Sequence, residues 1–133
     1  MEKLEHIGIA VKNLDDSNRL FAKLLGNTHY KIEEVASEGV RTSFFEVNGV
    51  KIELLEATHP DSPIAKFLEK RGEGIHHLAF EVSSIKDSIQ SYAAKGFSML
   101  SEQPKPGADN KIIAFMHPKS SGGVLVELCQ ERK

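Results

Sequence analysis

The chain has 133 residues, 40% of them hydrophobic, and a formal net charge of −2, enough for one compact domain or for two half-sized modules sharing a core. Its lysines and arginines are scattered, never more than two together, which argues against the basic stripe of a nucleic-acid surface, and no run approaches the ~18 apolar residues of a membrane span. The N-terminus MEKLEHIGIAV lacks the parts of a signal peptide, and the single cysteine, Cys129, excludes an internal disulfide and fits a reducing compartment, so a soluble cytoplasmic protein with no nucleic-acid or membrane partner is expected.

HIGIAV (6–11) reads as a strand that sends Ile7, Ile9 and Val11 to one face and His6, Gly8 and Ala10 to the other. An amphipathic helix follows, with Leu20, Phe21, Leu24 and Leu25 at helical spacing, Asp15 or Asp16 to cap it and Gly26 to end it. THYKIEEVAS (28–37) is a further strand candidate, and its Glu33 and Glu34 read as a solvated face. RTSFFEVNGVKIELLEA (41–57) gives two β-rich runs around an Asn-Gly turn. In DSPIAKFLEKRGEG (61–74), Ser62 can cap a helix, Pro63 suits its first position, Ile64, Phe67 and Leu68 form its stripe and Gly72 stops it.

GIHHLAFEV (74–82) opens the second half with two adjacent histidines. Alternation sends Leu78, Phe80 and Val82 to the core and His77, Ala79 and Glu81 to the opposite side, so His77 rather than His76 faces the roomier side. The next helix carries Ile85, Ile89, Tyr92 and Ala93, with Ser83 or Ser84 as cap and Gly96 as stop. SMLSEQPK (98–105) is another strand candidate, and KIIAFMHPKSSGGVLVELCQE (111–131) gives two β-rich runs around SSGG. His29, His59 and His117 sit beside turn signals and are expected at the surface.

The chain repeats itself. Residues 6–26 align without gaps on 77–97, so that His6 falls on His77, and Glu53 of KIELLE falls on Glu127 of LVELCQ. A repeat of about 70 residues exceeds the ~20 to 50 of solenoid units. Two pseudo-symmetric modules, 1–58 and 74–133, each βαββ or βαβββ and joined by a linker helix within 59–73, are therefore expected. By parity Glu53 opposes Ile52 and Leu54, and Glu127 opposes Val126 and Leu128, so both carboxylates can share a face with the histidines. Small residues beside each histidine leave room for a cavity. Two imidazoles and two carboxylates form a nitrogen and oxygen donor set for a divalent ion such as Co, Ni, Zn, Mn or Fe, with open positions left for water or substrate. A lone histidine or glutamate in a strand carries no such meaning; four exceptions at two pairs of equivalent positions do. Cys129, two residues beyond Glu127, reads as a small buried hydrophobe.

These positions and the paired modules resemble the vicinal oxygen chelate superfamily, which includes glyoxalase I and the extradiol dioxygenases. DSPIAKFLEKRGEGIHHLAFEV and FMHPKSSGGVLVELCQ resemble, more narrowly, the methylmalonyl-CoA epimerases. The resemblance covers nearly the whole chain. It implies an α+β fold of two βαβββ modules whose curved sheet surrounds a metal cavity. The ligands would be His6, Glu53, His77 and Glu127, although many members carry glutamine at the Glu53 position. It also implies a metal, Co2+ in the first place with Zn2+, Ni2+ or Mn2+ as alternatives, an acyl-CoA substrate and a homodimer. The implied reaction interconverts (R)- and (S)-methylmalonyl-CoA through a metal-stabilised enolate reprotonated on its opposite face.

Inversion needs two acid/base groups. The resemblance assigns one to Glu127. For the other, many members read Glu-x-Gly-Val, whereas this chain reads SEGV, with Ser37 in the glutamate position and Glu38 one residue on. In a regular strand that shift turns the side chain to the other face, so Glu38 serves only where the backbone leaves strand geometry. No Gly-rich phosphate loop is present, so the coenzyme A nucleotide is expected mostly outside the cavity. The competing functions are a glyoxalase I-type lactoylglutathione lyase and a small-ligand binder on the same scaffold.

Overall fold

The computed structural model describes residues 2–132. The chain forms two compact units, one from His6 to His76 and the other from His77 onward together with the segment up to Glu5. The ends of the two expected modules, residues 1 and 133, lie outside the described residues. No helix among the described residues is long and apolar enough to cross a membrane.

The first unit is built from β1 (Lys3–Ala10, from His6 onward), α1 (Leu14–Leu25), β2 (Lys31–Val35), β3 (Val40–Val47), β4 (Val50–Ala57) and α2 (Pro63–Arg71), with strands in the order β2-β3-β4-β1. The β3–β4 hairpin turns at Asn48 and Gly49, both at positive φ (52° and 92°), the conformation a tight two-residue hairpin demands. β1 runs parallel to β4, with Gly8 opposite Glu53 and Ala10 opposite Leu55. The cap of α1 is Asn13, whose side chain accepts from the Asp16 amide at 2.9 Å; Asp15 and Asp16 instead lie in the first turn, where carboxylates complement the helix dipole. The buried side of α1 is also rotated from the expected stripe. Leu14, Phe21, Ala22 and Leu25 pack with Val11, Phe45 and Leu54, which leaves Leu20 and Leu24 exposed. Asn18, on the buried side, fixes this rotation by accepting a hydrogen bond from Ser43 Oγ at 2.5 Å. The linker helix α2 starts on Ser62 Oγ, which accepts from the Ala65 amide at 3.1 Å. Its Ile64, Phe67 and Leu68 cover Ala10, Val40 and Leu55.

The second unit contains β5 (Gly74–Glu81, from His77 onward), α3 (Ile85–Ala94), β6 (Lys105–Pro106), β7 (Lys111–Met116) and β8 (Val126–Glu131), ordered β5-β8-β7-β6. β8 runs parallel to β5 and antiparallel to β7, so that Ala79 and Phe115 both stand opposite Glu127. Val82, Ile85, Ala114, Met116, Val126 and Leu128 form the core beneath α3. The expected strand over 98–105 shrinks to a two-residue β6 and a single Met99–Met116 bridge. Pro104 and Pro106 cannot donate to a ladder, which confines pairing there to an edge fragment. Both halves are thus βαβββ rather than βαββ. The amide of Glu2 donates to the carbonyl of Glu81 at 2.8 Å, fastening the first residues of the chain to β5.

Candidate functional site

Each unit carries one buried histidine–glutamate pair. In the first, His6 Nδ1 on β1 lies 3.1 Å from Glu53 Oε2 on β4. In the second, His77 Nε2 on β5 lies 3.4 Å from Glu127 Oε1 on β8. All four residues are at most 6% exposed. The two pairs share one construction: parallel strands, with the histidine two residues before the position that stands opposite the glutamate. That opposing position is Gly8 in one unit and Ala79 in the other, small enough for the imidazole to lean across to the carboxylate. Phe115, also opposite Glu127, holds the His77 ring edge-on at a centroid distance of 5.6 Å.

A carboxylate removed from water is costly unless it is paired with positive charge or coordinates a metal. His6, Glu53, His77 and Glu127 each belong to a group of buried donors able to hold a divalent ion, and their nitrogen and oxygen atoms suit borderline first-row ions. The donor chemistry therefore fits the metal that the sequence implies. Glu5, 3% exposed, belongs to such a group as well. Strand alternation assigns Glu5 to the face opposite His6, so the pattern gave no signal for it.

His76 serves a different purpose. It is half-buried, and its ring meets Phe67 of α2 edge-on at 5.0 Å. Burial lowers its pKa to about 4, so it remains a neutral packing residue at physiological pH. Cys129 is fully buried, and burial, followed by the charges of Glu127, Glu5 and Glu81, pushes its thiol far above the usual range against the opposing effect of Lys111. It stays protonated, and its Sγ donates to the Phe80 carbonyl at 3.5 Å, as the small buried hydrophobe expected. Lys111 is itself buried, with Nζ 2.6 Å from Glu131 Oε1.

The SEGV stretch is not a strand. Ala36–Glu38 forms a 3-10 turn between β2 and β3, and Gly39 follows at φ 64°. Ser37 is exposed and Glu38 half-buried, so the parity argument that placed Glu38 on the wrong face does not apply. Thr58 holds the turn from the other side by donating its amide to the Gly39 carbonyl at 3.0 Å. Other expected surface residues are more enclosed. Glu33 is half-buried, with Lys31 Nζ at 3.7 Å, whereas Glu34 is exposed. His29 packs edge-on against Phe45 at 5.9 Å, and His117 Nδ1 accepts from the Lys119 amide at 3.2 Å; both are half-buried, and His59 alone of the three is exposed.

Duplicated βαβββ modules that each bury a His–Glu pair on neighbouring parallel strands define a class with the vicinal oxygen chelate fold, and the Glyoxalase/Bleomycin resistance protein/Dioxygenase superfamily matches residues 5–115. Within that superfamily the chain belongs to the methylmalonyl-CoA epimerase family of enzymes. It is 38% identical over 129 residues to human mitochondrial methylmalonyl-CoA epimerase, covering 96% of this chain and 73% of the human one. It is also 38% identical over 130 residues to the ethylmalonyl-CoA/methylmalonyl-CoA epimerase of Cereibacter sphaeroides, covering 96% and 97% of the two chains. The solved structure of a methylmalonyl-CoA epimerase in complex with methylmalonyl-CoA and NH4+ matches with a TM-score of 0.94 at 32% identity, over 98% of this chain and 95% of that one.

Proposed function

We propose that this chain interconverts (R)- and (S)-methylmalonyl-CoA, with His6, Glu53, His77 and Glu127 together holding one divalent cation, Co2+ in the first place. The observation that carries this reading is the duplicated buried His–Glu pair. One pair supplies only two donors, too few for a five- or six-coordinate ion, and the equivalent pair supplies the other two. The two carboxylates offset the double charge of the ion. Such an ion, when bound, supplies the positive charge that lowers the cost of an enolate next to a carboxylate.

The chain's own residues carry the proton chemistry. Glu127 takes or returns the α-proton on one face, and Glu38, leaving a turn rather than a strand, serves the other. Gly8 and Ala79, small residues opposite the two glutamates, limit the side-chain bulk beside the donors where the acyl head would sit. The same reading takes the working form to be a cytoplasmic homodimer; β2 ends its sheet and exposes Ile32 along that edge, a surface that pairing would cover.

The test supplies the cobalt-loaded protein with (S)-methylmalonyl-CoA and resolves the product diastereomers. The (R) form should accumulate to equilibrium, disappear with chelation and return with Co2+. Turnover of the hemithioacetal of glutathione and methylglyoxal, with none of methylmalonyl-CoA, would replace this reading by the lyase. Tight ligand binding with no turnover of either would replace it by the binder.

A further inference from the structure

Thr42 stands apart from the other buried polar side chains of the first unit. It is 1% exposed, and its Oγ1 has no hydrogen-bond partner among the described residues. Arg41 Nε also lacks one but lies 3.5 Å from Glu56 Oε1, which answers its charge. Ser43, next along the strand, gives its hydroxyl to Asn18. A buried hydroxyl without a partner costs free energy, and a native structure that keeps one calls for an explanation.

The register of β3 shows where this hydroxyl sits. Thr42 stands opposite Leu55 on β4 and opposite Glu33 on β2, while Phe44 stands opposite Glu53. Directly opposed residues share a face, so Val40, Thr42 and Phe44 share that of Glu53 and Leu55. Ser43 and Phe45 take the other face, with Asn18 and Phe21 of α1. Thr42 is therefore one diagonal step from Glu53, a separation of roughly 7 to 8 Å with the Cβ atoms somewhat closer. An acyl head group seated beside Glu53 and extending over that interval would bring an oxygen at its far end within reach of Thr42, beside the α2 side chains that cover Val40 and Leu55.

Resting on the proposed epimerase reading, we propose that Thr42 Oγ donates a hydrogen bond to a carboxylate oxygen of the bound methylmalonyl head group. The hydroxyl then gains a charge-assisted partner when substrate binds, and it favours acyl-CoA esters that carry a free carboxylate over those that do not. Thr42 thus contributes to specificity. It is not a base: the Glu33 carboxylate stands opposite on the same face, but an aliphatic hydroxyl keeps its proton and can only donate to the substrate oxygen.

The test compares wild type, Thr42→Val and Thr42→Ser in the metal-loaded protein, with binding of methylmalonyl-CoA and of propionyl-CoA measured by calorimetry beside KM, kcat and the melting temperature without ligand. Valine keeps the shape and removes the donor. It should weaken methylmalonyl-CoA binding by about ten- to a hundredfold, leave propionyl-CoA binding unchanged, raise KM more than it lowers kcat, and raise the melting temperature by relieving the unpartnered hydroxyl. Serine should restore methylmalonyl-CoA affinity to within about threefold of wild type. Unchanged methylmalonyl-CoA affinity in Thr42→Val would overturn the assignment, as would equal weakening of both esters. A wild type that does not bind methylmalonyl-CoA would instead overturn the epimerase reading on which the assignment rests.

Discussion

Gly39→Ala should destabilise the protein far more than a single methyl group suggests. A Cβ at Gly39 would lie 2.7 Å from Ser62 Cβ and 2.7 Å from His59 Nε2, on a backbone at φ +64°. His59 is exposed and can swing aside, but Ser62 cannot. It is 1% exposed, its Oγ caps α2, its amide donates to the His59 carbonyl and its carbonyl accepts from the Lys66 amide. The turn is equally fixed, since Thr58 donates to the Gly39 carbonyl. Alanine in the left-handed region costs about 1 kcal/mol. Displacing Ser62 weakens its cap and strains the packing beneath α2 by about 2 kcal/mol more. At about 2.1 cal/mol/K of unfolding entropy per residue, a total of about 3 kcal/mol lowers the melting temperature of a chain this long by about 10 °C. Differential scanning calorimetry reads the shift. Adding His59→Ala should recover only a small part of it, because the Ser62 contact persists. A fall below about 3 °C in Gly39→Ala, no more than the left-handed strain alone, would refute the close approach.

Glu127→Gln should lower epimerase turnover by about 10²- to 10⁴-fold, the usual share of a positioned acid/base group, as read from initial rates; a loss under about threefold would remove Glu127 from proton transfer. Burial of His76 predicts a pH effect of definite sign. Its folded pKa of about 4 lies below the ordinary 6.5, so between those values the unfolded chain binds the extra proton and stability falls as pH drops, by up to about 3 kcal/mol. Urea unfolding at pH 7 and pH 4.5 should show this loss in the wild type and a smaller one in His76→Phe; equal losses would contradict it. Asn13→Ala removes the cap of α1 and should cost about 1 kcal/mol in the same assay. Chelation should lower the melting temperature and Co2+ should restore it; a melt indifferent to metal would contradict ligation by the buried pairs.

The two pairs were legible because duplication marks them. His6 and His77, and Glu53 and Glu127, are polar exceptions at equivalent places in apolar strands, and strand alternation then assigned their faces. The cap and stripe of α1 were misread for a local reason: Asn13 precedes Asp15, and Leu20 and Leu24 fit the helical period as well as the residues that are buried. The contacts that fix the rotation are long-range: the Asn18–Ser43 hydrogen bond, 25 residues apart in sequence, and the packing of Phe21 and Leu25 with Phe45 and Leu54. The turn beneath Glu38 was hidden because the close approach of Gly39 to His59 and Ser62 joins residues distant in sequence, which periodicity does not encode. Thr42 gave no signal because threonine is an ordinary strand residue; its unpartnered hydroxyl exists only in the context of its neighbours. The β6 fragment could have been read from Pro104 and Pro106.

The most direct test places the cobalt-loaded protein with (S)-methylmalonyl-CoA in deuterated water and follows deuterium at the α-carbon beside formation of the (R) isomer. Proton transfer from two sides predicts deuterium incorporation with inversion, both lost on chelation and in Glu127→Gln. An α-carbon that stays unlabelled while the protein holds its metal would contradict the account.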